Sequence, residues 1–324
     1  MSISLAIRSG GVTDRGLRRE SNEDALVVTD NMVAVADGMG GHEAGEVASA
    51  LCVSTLGSSE LFTLNDFMDY QIVEPEPGLD VSRFRATIDR QLKLDPDVPN
   101  EALEAVHRLR SVLWEADQSI QDQCGTRAGT TVTGAWLVEI AGQWLWLIFN
   151  VGDSRTYELT GPGVGEHPTD PEHPVGVSQL TVDHSEVQYL VSIGQLTPAQ
   201  ALVHPRRNVI TRALGTGQVW EPDIIVIPAQ PGQRLLMCSD GLTGELSPAH
   251  IARVLHAVQH PKEAADVLLQ AALRTGGRDN VTLIVADVLE ADDPRVNTGS
   301  IKRISRTLNA TRAKLSRAAS AFGR

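Results

Sequence analysis

The sequence predicts an α+β fold built on antiparallel sheets, on three observations. Short apolar runs follow one another with hairpin-like breaks, helical stretches come in pairs, and strands do not alternate with helices as βαβ units require. Residues 3–36 read as short strands joined by a glycine-punctuated connection, and no internal repeat is present. Residues 43–56 read as a helix whose Ala44, Ala48 and Ala50 permit close packing. Residues 58–100 are rich in acids and proline and read as an acidic insertion, with a short helix near 81–94. Residues 101–123 form a helix, because Leu103, Val106, Leu109, Leu113, Ala116 and Ile120 recur at three- and four-residue spacing. Strands at 130–140 and 144–151 then flank a turn at Ala141-Gly142-Gln143, and 155–159 continues the series. Two short helices follow at 187–193 and 198–202, then strands at 224–228 and 234–239. Helices at 248–258 and 261–275 and a last strand at 282–288 complete one large domain over 1–290.

With 324 residues and 42% apolar content, the chain can bury a sizeable core. Its three cysteines (Cys52, Cys124, Cys238) are an odd, widely spaced set, which reads as buried thiols in a reducing compartment. The first residues lack a basic segment followed by a long apolar one, and no apolar stretch reaches ~18 residues. The expectation is a soluble, cytoplasmic, monomeric protein. The formal net charge of −13 conceals an asymmetry: from Arg295 onward there are eight Lys or Arg and no acid. The first 294 residues therefore carry 20 basic and 41 acidic side chains, a net of −21. Such a body disfavours nucleic-acid binding. In the tail at 291–324, Ile301, Ile304, Leu308, Leu315 and Phe322 share one helical face. Lys302, Arg303, Arg306, Arg312 and Arg317 lie opposite, as in a basic amphipathic helix. It would fit an acidic partner, anionic lipid or the acidic body itself; a disordered tail is the alternative.

Three apolar runs end in an aspartate: Val33-Ala-Val-Ala-Asp37, Leu147-Ile-Phe-Asn-Val-Gly-Asp153 and Leu235-Leu-Met-Cys-Ser-Asp240. A fourth acid, Asp279, opens another run. Strands of a sheet end at common rims, so the four carboxylates can converge. Two carboxylates about 5 Å apart repel by roughly 3 kcal/mol at an effective dielectric of about 20. Summed over several pairs, that rivals a domain's stability of ~5–15 kcal/mol. The simple reading of Asp-Gly after a strand is a hairpin turn, but Gly-Asp-Ser-Arg and Gly-Gly-Arg-Asp-Asn are poor hairpins. The set points to divalent cations. An all-oxygen donor set selects Mg²⁺ or Mn²⁺ over zinc or copper. The zinc-protease, P-loop and serine-hydrolase motifs are absent. Two such ions can ionise a shared water and clamp phosphoryl oxygens, and Arg19 offers a bidentate phosphate partner.

Eight segments, in order, carry a resemblance. They are Arg19-Glu-Ser-Asn-Glu-Asp24, Val35-Ala-Asp-Gly-Met-Gly-Gly-His42, Ala128-Gly-Thr-Thr131, Asn150-Val-Gly-Asp-Ser-Arg155, Leu180-Thr-Val-Asp-His-Ser185, His204-Pro-Arg-Arg-Asn208 with Thr211-Arg-Ala-Leu-Gly215, Ser239-Asp-Gly-Leu242 and Asp279-Asn-Val-Thr282. The chain resembles the metal-dependent type 2C (PPM-type) serine/threonine protein phosphatases, of the bacterial single-domain kind. The resemblance implies a four-layer αββα sandwich of two antiparallel sheets flanked by helices. It implies that Asp37 bridges two Mn²⁺ or Mg²⁺ ions, that the Gly38 carbonyl contacts one, and that Asp240 and Asp279 complete the other. Asp153 would help hold a third, looser ion. Arg19 would grip the phosphate, while Glu23, Asp24 and Asn280 would lie in the surrounding shell. Residues 181–212 correspond to a flap beside the site. The implied reaction is direct hydrolysis of phosphoserine or phosphothreonine by a hydroxide bridging the metals, opposing a bacterial Ser/Thr kinase.

One departure stands out. Animal members place a histidine directly after Asp-Gly, whereas Met39 stands here. His42 is a candidate replacement or a helix cap, and His184 and His204 read as structural parts of the flap. Two rival functions remain: a catalytically silent scaffold that binds phosphoproteins, and a phosphohydrolase acting on small molecules.

Overall fold

The computed structural model describes residues 4–40, 43–59, 99–165, 174–293 and 295. The insertion expected at 58–100 and the basic tail fall almost wholly outside these residues, as does His42. Eleven strands among the described residues form two sheets. The first runs in the order β1 (Leu5–Asp14), β11 (Val281–Glu290), β10 (Arg234–Cys238), β7 (Arg155–Thr160), β8 (Gly176–Gln179). The second runs β2 (Asp24–Val28), β3 (Met32–Met39), β5 (Val132–Ile140), β6 (Gln143–Val151), β9 (Asp223–Pro228), with the two-residue β4 (Gly129–Thr130) beside the end of β3. The paired strands are antiparallel, as the hairpin-rich sequence implied.

Three apolar layers hold the sheets and helices together. Helices α1 (Glu43–Ser58) and α2 (Pro99–Cys124) cover the second sheet, burying Leu109, Leu113, Ala116 and Ile120 against Met32, Ala34, Leu147 and Phe149. Helices α6 (Pro248–Ala257) and α7 (Pro261–Thr275) cover the first, packing Leu255 and Leu268 on Leu236, Leu283 and Val285. Between the sheets lie Val33, Val35, Ala135, Leu137, Trp146 and Ile148, facing Leu235, Met237, Ile284 and Ala286. Alternate residues of one strand thus serve different layers, the two-residue period of a sheet buried on both faces. The result is the αββα sandwich.

The β5–β6 connection is tighter than the three residues expected. Ile140 pairs with Gln143, leaving a two-residue loop in which Ala141 and Gly142 have φ of 51° and 78°. Positive φ at both positions matches the twist of the flanking strands. Strand β8 and the four-residue α5 (Asp240–Thr243) were not anticipated. The first is a short edge strand with two exposed residues, and the second lacks a helical repeat.

Arg234 is a structural cation. It is 1% exposed, binds Asp287 through two contacts of 2.6 and 2.9 Å, and donates to the carbonyls of Leu255, Val258 and Gln259. It ties β10 to the C-terminus of α6. Replacing it with methionine removes those donors and leaves Asp287 and the Gln259 carbonyl to Arg8, and the expected cost is about 3 kcal/mol. A urea midpoint within error of the parent would contradict that account.

Candidate metal centre

Toward one rim of the sandwich the inter-sheet layer changes from apolar to polar. On β3 the inward row Val33, Val35 ends in Asp37; on β2 the row Val28, Leu26 ends in Asp24, which pairs across from Asp37. On β6 the row Trp146, Ile148 ends in Asn150, and on β10 Leu235 and Met237 are followed by Ser239. Buried hydroxyls floor this rim: Thr133 bonds Thr156 at 2.9 Å, Thr131 bonds Ser154 at 2.8 Å, and Ser239 donates to Asp24 at 2.8 Å. Asp153 lies in the β6–β7 turn, Asp240 opens α5, and Asp279 and Asn280 precede β11. The four strand-end aspartates of the sequence therefore meet at one rim, joined by Asp24.

Their electrostatics record the crowding. Burial first, and then the neighbouring Asp24, Asp240, Asp153 and Asp279, hold the Asp37 carboxyl well above the usual carboxylate range. Burial raises Asp24 to about 7 against its hydrogen bonds from Ser239 and Thr282. Asp153 is likewise pushed up to about 7 by burial and by Asp240 and Asp183. Asp240 reaches about 6, through burial and Asp279, with Arg19 and Arg155 pulling it back.

Neither Asp-Gly pair is a hairpin turn. Gly38 stays within strand pairing opposite Thr130, and a Cβ there would lie 2.1 Å from the Gly45 carbonyl oxygen. Gly241 sits inside α5, where a Cβ would lie 1.9 Å from the Asn280 carbonyl oxygen. Both glycines let a backbone close on the aspartate beside them. The pattern was legible, but its cause is packing rather than chain reversal.

The remaining candidates take different places. Arg19 Nη2 pairs with Asp279 Oδ2 at 2.7 Å on the open side of the rim, with 54% of its side chain exposed. Asn280 holds the Arg19 loop: its Oδ1 accepts from the Glu23 amide at 2.8 Å, and its Nδ2 donates to the carbonyls of Arg15 and Ser21. Glu23 runs along α1, its Oε2 within 2.1 Å of where a Gly45 Cβ would stand. Sequence reasoning assigned no role to Asp183, which grips Arg155 through contacts of 2.8 and 2.6 Å, or to Asp223. Asp183 lies in the segment 180–185 that carries part of the resemblance, but its pairing with Arg155 and the contacts of Asp223 are not local, since each partner is distant in sequence or lies on another element.

Among the described residues no three carboxylate, imidazole or thiol side chains converge on a single point. The aspartates are close enough to raise one another's pKa, yet like charges resist closing further. The donors fit a hard divalent cation on two grounds. All are oxygens, and one of them, Asp24 Oδ1, is buried without a hydrogen-bond partner.

A family model described as Protein phosphatase 2C matches residues 17–275. The chain belongs to the protein phosphatase 2C family. It is 36% identical over 292 residues to the serine/threonine protein phosphatase PstP of Mycobacterium tuberculosis, covering 90% of this chain and 46% of that protein. The chain thus spans about half the length of that relative. It is 32% identical over 280 residues to the serine/threonine phosphatase stp of Listeria innocua, covering 85% of this chain and 93% of that one. Among solved structures, the catalytic domain of PstP in complex with two manganese ions aligns with a TM-score of 0.60 and 31% identity. That alignment covers 88% of this chain and 100% of that one. The 2C family match spans Arg19, Asp37, Asp153 and Asp240, and stops just short of Asp279. Among the described residues of this family member no helix is long and apolar enough to cross a membrane.

Proposed function

We propose that the chain hydrolyses phosphoserine and phosphothreonine in proteins with Mn²⁺ or Mg²⁺, two per site with a third at Asp153, and that residues 1–290 form the catalytic domain. The observation that carries this reading is the set of buried and half-buried aspartates at one rim, where burial and acidic neighbours hold Asp37, Asp153 and Asp240 above the usual carboxylate range. Asp37, the Gly38 carbonyl, Asp240 and Asp279 would hold the principal ions. Bound there, the ions would supply Lewis acidity toward phosphoryl oxygens and lower the pKa of water. Asp24, backed by Ser239, would accept hydrogen bonds from water in the pocket. Arg19 stands at the open side, where swinging from Asp279 to a phosphate exchanges one charge-assisted pair for another. Met39 has no proton to give, so the chain offers no donor at that position for the leaving oxygen.

A protein substrate is favoured over a small molecule by the flap. Helices α3 (Glu186–Ser192) and α4 (Pro198–Leu202) leave Tyr189, Leu202 and Val203 at 61%, 73% and 79% exposure. No Asp or Glu occurs from 187 to 220; of its arginines, Arg206 pairs with Glu186 and Arg212 with Asp223 at the ends of the stretch, and Arg207 is exposed between them. Such a surface suits a polypeptide bearing negative charge, and the phosphorylated loops of a Ser/Thr kinase and its substrates are of that kind. Release of phosphate from a phosphothreonine peptide, dependent on Mn²⁺ and stopped by chelator, is the test. Binding without release would leave the scaffold reading in its place. Arg19→Ala is expected to raise KM about 10-fold or more, since a hydrogen bond to a charged group contributes roughly 1.5–3 kcal/mol. Turnover should fall less than KM rises, and initial rates against peptide concentration would show the reverse if Arg19 served only Asp279.

A further inference from the structure

We propose that His184, held by Asp223, is a positioning residue that fixes the Asp153 turn and ties it to the flap. The proposal rests on Asp153 being a metal ligand. Gly152, directly before Asp153, is gripped at both ends by His184. The Gly152 amide donates to His184 Nδ1 at 3.1 Å, and the His184 amide donates to the Gly152 carbonyl at 2.8 Å. Gly152 has φ of 111°, a left-handed conformation costly for other residues, so the turn depends on being held. Nδ1 accepts, which assigns the ring proton to Nε2, 3.1 Å from Asp223 Oδ2 on β9 and also 3.1 Å from Arg212 Nη1. Arg212, at the far end of the flap, closes on the other Asp223 oxygen at 2.9 Å. The His184 carbonyl accepts from the Thr211 amide at 2.8 Å, and Ser185 bridges Ile210. Both roots of the flap and the Asp153 turn therefore meet at one residue, through its imidazole and its backbone.

His184 is 6% exposed, yet the flap beyond it has little core of its own, Val187 being the one buried residue of α3 and α4. A weakly packed arm moves easily as a unit. Displacing it pulls on His184 first, and through Gly152 on Asp153. Asp183 adds a second fastening to the same turn through Arg155, and Asn150 Nδ2 a third by donating to the Gly152 carbonyl at 3.0 Å, while His184 alone among them accepts from the Gly152 amide.

The test is a double-mutant cycle on the full chain, read by Mn²⁺ binding in paramagnetic resonance and by phosphopeptide turnover. His184→Ala is expected to weaken the Mn²⁺ site lost in Asp153→Ala about 10-fold, the low end for removing a residue that orients a ligand. It should cause no further loss when added to Asp153→Ala. His184→Gln, with one acceptor and one donor at comparable spacing, should recover part of the binding. Asp223→Asn, at a half-exposed position, gives the same reading if His184→Ala does not fold. Unchanged Mn²⁺ binding in His184→Ala or Asp223→Asn, with Asp153→Ala deficient, overturns the positioning role alone, as do additive losses. Unchanged Mn²⁺ binding in Asp153→Ala overturns the metal role of Asp153 and this proposal with it.

Discussion

Asp240→Asn is expected to lower turnover about 1000-fold or more while raising the thermal midpoint of the metal-free protein. The two effects have one origin. Asp240 is held at about 6 by burial and by Asp279, so near neutral pH the folded protein keeps it ionised against its surroundings. The amide is close in shape and carries no charge, so the repulsion is relieved and the midpoint should rise by a few degrees. Catalysis moves the other way. A divalent ion contributes several kcal/mol of transition-state stabilisation, and each 1.36 kcal/mol is tenfold in rate, so losing a ligand of such an ion costs about three powers of ten. Thermal melts in chelator and turnover in Mn²⁺, both on the same variant, separate the two. Retention of more than about a tenth of the activity would remove the acidic rim from the mechanism. A lowered midpoint without metal would mean that repulsion there is small.

The second large effect is a reversal of pH dependence by metal. Asp24 and Asp153 rise from 3.8 to about 7 in the folded state, and Asp240 from 3.8 to about 6. Between the unfolded and folded values the native protein binds more protons than the unfolded chain, so stability falls as pH rises through that window. Below about 4 both states are protonated and the penalty is absent; above about 7 both are ionised and it is complete. In chelator, then, stability should drop steadily from about pH 4 to about pH 7, by up to roughly 1.4 kcal/mol per pH unit for each proton of difference. Divalent cation binds the ionised carboxylates, and at a hundredfold over its Kd it adds about 2.7 kcal/mol. The Mn²⁺ profile should therefore be level or rise across the same range. A chelator profile without slope would show that these groups titrate as they do in the open chain.

Much of the centre was legible because a buried strand announces itself locally. Val33 to Ala36, Leu145 to Phe149 and Leu235 to Cys238 are apolar whichever partner they pair with. An acid that ends such a run must therefore sit at a sheet rim, and Asp37, Asp153, Asp240 and Asp279 were found that way. The nature of the chain around them was not legible. Asp240 opens a short helix that no periodicity announced, and the contacts by which Asn280, expected in the surrounding shell, fastens the Arg19 loop reach residues more than 250 positions away. Asp24, which lies opposite Asp37 on β2, gave no sign of being the carboxylate with a buried oxygen left unpaired.

Periodicity, apolar runs and the order of acidic motifs were determined by residues within a few positions of one another, and those the sequence states outright. Contacts such as Ser239 with Asp24, 215 residues apart, or Arg234 with Asp287, 53 apart, depend on which strands become neighbours. The same holds for His184 standing between Gly152 and Asp223, a placement that no stretch of sequence contains. Side-chain hydrogen bonds of this kind act over about 3 Å in space and carry no local period. Only the closing of one sheet upon the other decides them.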